Sequence, residues 1–296
     1  MIIGEVERKN VRTVSPLSSP PTRRGYLDRP GCRLYYEVTG AGPAIVFAHG
    51  LGGNHLSWWQ QVPHFCGRYA CVTFAHRGFA PSSEILGGPD PADYAGDLAA
   101  LIDHLALDRV FLVAQSMGGW ACLEYALANP ERVRGLVLAS TAGAIARRAT
   151  LLRDPAALDA WIGRAAAART DMQRDGVHPA AGSRMAREQP ALHFLYRAID
   201  AIAGAKFDKE ALRARMIALQ TRPPENLARL GVPTLFITGG EDVVFPPLLA
   251  PALAGLMPNA RIEDVAGAGH SVYFERAEIF NRLVQEFFAT AGARPS

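Results

Sequence analysis

Ser116, Asp242 and His270 are the residues whose types and settings could do chemistry together. Each lies in a short, glycine-bearing loop just after a run that reads as a strand. A serine hydroxyl is a poor nucleophile until a neighbouring imidazole takes its proton. The imidazole in turn needs a carboxylate to fix its tautomer and to stabilise the imidazolium. Attack on a carbonyl produces an oxyanion, and removing one preorganised N–H donor from such an oxyanion costs about 3–4 kcal/mol. The chain supplies the three groups in the order nucleophile, acid, base. At the level of residue type alone, Glu241 and Asp264 compete with Asp242 for the acid.

The serine has the most specific setting. Val110 to Ala114 is an apolar run expected to be buried on both faces of a sheet. Gln115-Ser116-Met117-Gly118-Gly119 then leads into Trp120 to Ala128, which has helical spacing and stops at Asn129-Pro130. A serine on a strand-to-helix turn with small neighbours two residues away on each side is a nucleophile elbow in outline. Ala114 and Gly118 fill those two places, alanine standing where glycine is usual.

The elements that would position these loops alternate along the chain. Gly25 to Asp28 and Cys32 to Val38 flank an Arg29-Pro30-Gly31 turn and read as a hairpin. Buried strands are expected at Ala44 to Ala48, Tyr69 to Ala75, Val110 to Ala114, Val133 to Ala139 and Pro233 to Thr238, with a more exposed one at Ala260 to Val265. Amphipathic helices are expected at Pro91 to Leu105, Trp120 to Ala128, Pro247 to Leu256 and Arg276 to Ala289. That alternation is the signature of a mostly parallel, doubly wound α/β sheet. It lapses between Ala142 and Pro224, a stretch with helical patterns at Ala156 to Arg169 and Glu210 to Leu219 and no strand signal. The stretch is too long for an ordinary connection and reads as a helical insertion over one end of the sheet. The expected organisation is a flexible N-terminal arm over 1–24, a core of 25–141 and 225–296, and a helical cap over 142–224.

The 296 residues carry 31 Lys+Arg against 28 Asp+Glu, a net charge of +3 with no dense basic run, so no nucleic-acid partner is expected. No stretch reaches the length of a membrane span and the N-terminus lacks the apolar core of a signal peptide, so a cytoplasmic location and no membrane partner are expected. Cys32, Cys66, Cys71 and Cys122 form no CxxC pair and read as reduced, partly buried thiols, although Cys66 and Cys71 are near enough in sequence to bridge. No His/Cys spacing suits a metal.

Four segments now carry a resemblance: His49-Gly50-Leu51-Gly52-Gly53, Gln115-Ser116-Met117-Gly118-Gly119, Gly239-Gly-Glu-Asp242-Val-Val-Phe-Pro246 and Gly267-Ala-Gly-His270. In that order and at matching strand ends, they make the chain, from about Gly25 to Ala291, similar to an α/β-hydrolase-fold serine hydrolase with a helical cap. The group resembled includes small esterases, lactonases and C–C hydrolases. The resemblance implies Asp242 as the acid, because proline follows it by four residues. It implies backbone N–H groups of Leu51 and Met117 as oxyanion donors, with His49 structural. No cofactor is implied. The chain departs from the family pattern at Ala75, where aspartate usually begins Asp-x-Arg-Gly, and at Gln115, where histidine is common.

The function so implied is hydrolysis of a carboxylic ester or lactone through an acyl-enzyme. A C–C hydrolase of vinylogous diketones ranks second, since its usual Gly-Gly-Pro-Gly oxyanion loop differs from His49 to Gly53. A small-molecule receptor that retains the triad is the reading from another class. Aspartate-nucleophile relatives are disfavoured by serine at position 116. Trp58, Trp59 and Phe79, with His55 and His76, are candidates for the pocket wall, although aromatic residues are more often core. Leu151, Leu152, Leu158, Trp161, Ile162, Phe194 and Leu195 in the cap suggest a small-molecule substrate with an apolar portion. The sequence assigns no oligomeric state.

Overall fold

The computed structural model describes residues 20–203 and 207–292. Its centre is an eight-stranded sheet of β1 (Thr22–Arg29), β2 (Cys32–Thr39), β3 (Ala44–Ala48), β4 (Ala70–Phe74), β5 (Val110–Gln115), β6 (Val133–Ala139), β7 (Thr234–Gly239) and β8 (Ala260–Val265). The spatial order is β1-β2-β4-β3-β5-β6-β7-β8. β1 and β2 form the antiparallel hairpin, β2 joins β4 antiparallel, and every pair from β4 to β8 is parallel. Most of the arm expected over 1–24 lies outside the described residues. Its last part is corrected: Thr22 to Arg24 are already β1, paired with Glu37 to Thr39.

The helices are α1 (Gln61–Phe65), α2 (Tyr94–His104), α3 (Gly119–Ala128), α4 (Arg147–Leu151), α5 (Pro155–Arg174), α6 (Ser183–Glu188), α7 (Pro190–Ala203), α8 (Lys209–Ala218), α9 (Leu249–Ala254), α10 (Val272–Glu275) and α11 (Ala277–Gly292). The five from α4 to α8 fall between β6 and β7, within the segment expected to be a helical insertion.

Successive side chains on a strand point to opposite faces, so a strand covered on both sides is apolar throughout. Ile45, Phe47, Phe111, Val113, Val137 and Leu235 pack into one apolar cluster with Phe65 of α1 and Phe280, Val284, Phe287 and Phe288 of α11. Their sequence neighbours Val46, Leu112, Leu136 and Phe236 pack into the other, with Tyr94, Leu98 and Ile102 of α2, Ala121 and Tyr125 of α3, and Leu249 and Leu253 of α9. Burying each large apolar side chain contributes about 1.5–3 kcal/mol. The two cores clamp the central strands, so their carboxyl ends are rigid mounts for loops. All four cysteines are buried and free.

Candidate active site

Ser116 follows β5 directly and adopts φ +48°. A non-glycine residue in the left-handed region costs about 1–2 kcal/mol, and such strain persists where the surroundings enforce it. Here they do. A Cβ at Gly118 would lie 2.2 Å from the Ala48 carbonyl oxygen, and one at Gly119 would lie 2.3 Å from Thr141 Oγ1. The turn therefore enters α3 pressed against β3 and the loop after β6, which is why small residues follow the serine. Ala114 is fully buried, opposite Ala48 and Leu138 on the adjacent strands.

Asp242 and His270 come from the loops after β7 and β8. His270 Nδ1 and Asp242 Oδ2 are 2.8 Å apart, and both residues are buried. An ionised carboxylate only accepts, so Nδ1 carries the proton and Nε2 is left as the nitrogen available for a serine proton. Asp242 Oδ1 accepts from Val244 N–H at 2.7 Å and Phe245 N–H at 2.8 Å, so both oxygens are fixed. The insertion grips this loop as well: Trp161 Nε1–H donates to the Asp242 carbonyl at 3.0 Å and Arg169 to the Val243 carbonyl at 2.6 Å. Glu241, the neighbouring carboxylate, is instead paired with Arg184, while Asp264 accepts from Thr238 Oγ1 at 2.8 Å.

The loop bearing His270 has its own anchor. Glu275, 2% exposed, accepts the amides on either side of the histidine, from Gly269 at 2.9 Å and Ser271 at 3.1 Å. Burial pushes its carboxyl up to about 7 against the opposing pull of the two amides. Gln115 ties a third element to the site. Its amide lies 3.4 Å from the His270 carbonyl, and its Oε1 would sit 2.0 Å from a Cβ on Gly50. Gln115 and Gly50 are thus fitted to one another.

Leu51 and Met117 face the same cavity as Ser116 and His270. Among the described residues the Leu51 N–H has no hydrogen-bond acceptor, and Met117 lies in the first turn after the elbow, where N–H groups lack intrahelical partners. His49 shapes the loop before Leu51. Its Nδ1–H donates to the Gly50 carbonyl at 2.8 Å and its Nε2 accepts the His76 amide at 3.0 Å. Burial, reinforced by His76, holds the imidazole well below its ordinary pKa, so it serves as a neutral strut.

The cavity has a volume of about 320 Å³, at the small end of ligand sites. The aromatic candidates for its wall are corrected. Trp58 is fully buried between Phe47 and Tyr273, Phe79 is fully buried against His49 and Phe207, and Trp59 is 43% exposed beside Phe274. His55 packs edge-on against Tyr35, and His76 is enclosed by His49, Phe74 and Tyr94, where burial lowers it to about 3. None of the five lines the cavity; the core and the hairpin use the rings of the other four, and Trp59 is partly exposed to solvent. The apolar cap residues are also elsewhere. Leu151, Leu152 and Leu158 line a separate open groove, which meets the cavity at Arg147, Ile217 and Gln220. Trp161 binds the acid loop, and Ile162 and Phe194 face solvent.

Apolar wall is instead supplied by Met117, Trp120, Met216, Ile217, Val244 and Phe245. A second part of the wall is charged and was not anticipated: Arg147, His178, Asp200, Lys209, Glu210 and Arg213. One signal for it existed. Lys209, Glu210, Arg213, Met216, Ile217 and Gln220 recur at helical spacing and share one face of α8 and its extension.

The family model for the alpha/beta hydrolase fold matches residues 43–277. A Mycobacterium tuberculosis protein whose name proposes a non-heme bromoperoxidase (BpoC) is 30% identical over 274 residues, covering 88% of this chain and 99% of that one. An Azorhizobium caulinodans protein whose name proposes a carbamate hydrolase (RutD) is 26% identical over 266 residues, covering 86% of this chain and 94% of that one. Among solved structures, a thermophilic esterase from Thermogutta terrifontis superposes with a TM-score of 0.71 at 24% identity, over 91% of this chain and 99% of that one.

Proposed function

The chain belongs to the alpha/beta hydrolase fold family and is a hydrolase of that fold, and from this premise we propose that it cleaves a carboxylic ester or lactone by serine nucleophilic catalysis. The observation that carries the reading is the buried 2.8 Å hydrogen bond between Asp242 and His270 Nδ1, with its imidazole on the same cavity as a serine held at φ +48°.

In this reading Ser116 Oγ attacks the substrate carbonyl while His270 Nε2 takes its proton. The oxyanion is held by the N–H groups of Leu51 and Met117, which need no reorganisation as charge develops. His270 returns the proton to the leaving alkoxide, giving an acyl-enzyme on Ser116. Water, deprotonated by the same imidazole, then releases the acid. Asp242 holds the ring and stabilises the imidazolium without taking the proton itself. The His49 to Gly53 loop supports ester chemistry over the vinylogous-diketone alternative, whose usual oxyanion loop has another sequence.

A screen of short p-nitrophenyl esters and small lactones tests the reading, with Ser116→Ala as control. Turnover by the wild type that falls to background in the variant is expected. A folded wild type that cleaves none of them, or turnover that survives in Ser116→Ala, contradicts it.

A further inference from the structure

We infer that Arg147 anchors a carboxylate on the substrate, so that the preferred ester or lactone carries a second, ionised carboxyl group away from the scissile bond. The inference rests on the proposed ester chemistry at Ser116.

Charge accounting within the cavity leads to it. Three basic side chains, Arg147, Lys209 and Arg213, line the wall with two acidic ones, Asp200 and Glu210. Lys209 Nζ lies 2.7 Å from Asp200 Oδ1, and Arg213 pairs with Glu210 one helical turn away. Arg147 has no hydrogen-bond or ion-pair partner among the described residues, and burial alone acts on its guanidinium, drawing its pKa down. A nearby element offers one further carboxylate, Glu124, but Arg222 occupies both of its oxygens.

The backbone that carries the arginine is also held in place. Ala146 N–H donates to the Arg222 carbonyl at 2.7 Å and Arg222 N–H to the Ala144 carbonyl at 3.1 Å, with Ile145 fully buried between them. The stem of α4 is therefore fixed where it delivers Arg147 to the cavity. A partly desolvated guanidinium without an acceptor is unfavourable in the free protein. Its planar fork suits a carboxylate, which accepts two parallel hydrogen bonds. The single unpaired positive charge matches one negative charge. A phosphate, nearer two, would be under-compensated beside Asp200 and Glu210. The neutral part of the ligand would lie along Met216 and Ile217 toward Ser116.

The test uses the monomethyl esters of succinate, glutarate and adipate, each against its dimethyl ester, which differs by one methyl and one charge. For at least one chain length the wild type should favour the monoester in kcat/KM by about tenfold or more, the range expected for hydrogen bonds to a charged group. Arg147→Met should remove that preference and Arg147→Lys should keep part of it. Calorimetric binding of the same monoesters to Ser116→Ala should weaken by about tenfold or more when Arg147→Met is added. Equal kcat/KM for every pair, with turnover still dependent on Ser116, overturns the anchor and leaves the ester reading standing. If no ester is cleaved, the ester reading falls and calorimetry decides the anchor: binding that ignores Arg147→Met, or no binding, overturns it.

Discussion

Glu275 should make the stability of this protein pH-dependent in a direction opposite to that of an ordinary salt-bridged carboxylate. Its side chain is 2% exposed, and burial raises it from 4.5 to about 7. The folded protein therefore holds this proton over a range in which the unfolded chain has released it. The group's contribution is fully present below about pH 4.5 and is lost as pH rises through about 7, with little change above. A shift of about 2.5 units corresponds to about 3 kcal/mol. Glutamine does not titrate, so the difference in unfolding free energy between wild type and Glu275→Gln should fall by about 2–3 kcal/mol between about pH 5 and pH 8. Urea denaturation at four pH values, fitted with a common m-value, reads this directly. A difference that is constant across that range, or that grows with pH, refutes the argument. Glutamine can accept only one of the two amides that flank His270 and leaves the other facing its NH₂ group, a cost of about 1–3 kcal/mol. The same variant should therefore also lose about tenfold in kcat at pH 8.

Three further outcomes follow from the site. Asp242→Asn should lower kcat by about 10³–10⁴ with the fold retained, read by steady-state kinetics and circular dichroism, because the imidazole loses the acceptor that sets its tautomer. Gly50→Ala should depress activity at least tenfold, because its Cβ would meet Gln115 Oε1 at 2.0 Å, and adding Gln115→Ala should restore part of the loss. Trp161→Phe deletes the indole N–H that holds the Asp242 carbonyl and should cost several-fold in kcat, whereas an unchanged rate would mean that the insertion does not position the acid loop.

Much of the architecture was legible because buried parallel strands leave a strong pattern. Val110 to Gln115 and Thr234 to Gly239 are buried along their whole length and mostly apolar, and each ends at a loop whose polar residue stands out against the run before it. Ser116 and the loop bearing Asp242 stood out as candidates for that reason, whereas His270, which follows the more exposed β8, stood out by its glycine-rich approach. The pocket wall was not. Trp58 and Phe79 have the residue type of a binding surface, but burial in a core and burial under a ligand impose the same composition, and only packing separates them. The cap misled in the opposite sense. Its apolar Leu151, Leu152 and Phe194 drew attention, while the cavity took the stripe from Lys209 to Gln220, because periodicity defines a helix face without saying which way it turns. The two departures from the family pattern also make sense only in three dimensions. Where Ala75 omits a carboxylate, Arg77 is held from α2 and the turn before it: Asp97 accepts two hydrogen bonds at 2.6 Å, and Asp93 pairs with the third nitrogen. Gln115 bridges the Gly50 loop and the His270 backbone, a role visible only once three separate segments are brought together.

The central claim is that Ser116 is a nucleophile activated by His270, and covalent trapping tests it most directly. A fluorophosphonate probe incubated with the folded protein, followed by peptide mass spectrometry, should give one adduct per chain, on Ser116. Labelling should vanish in Ser116→Ala and slow sharply in His270→Ala. A native protein that takes up no probe, or an adduct that persists at another residue when Ser116 is replaced, would contradict the account.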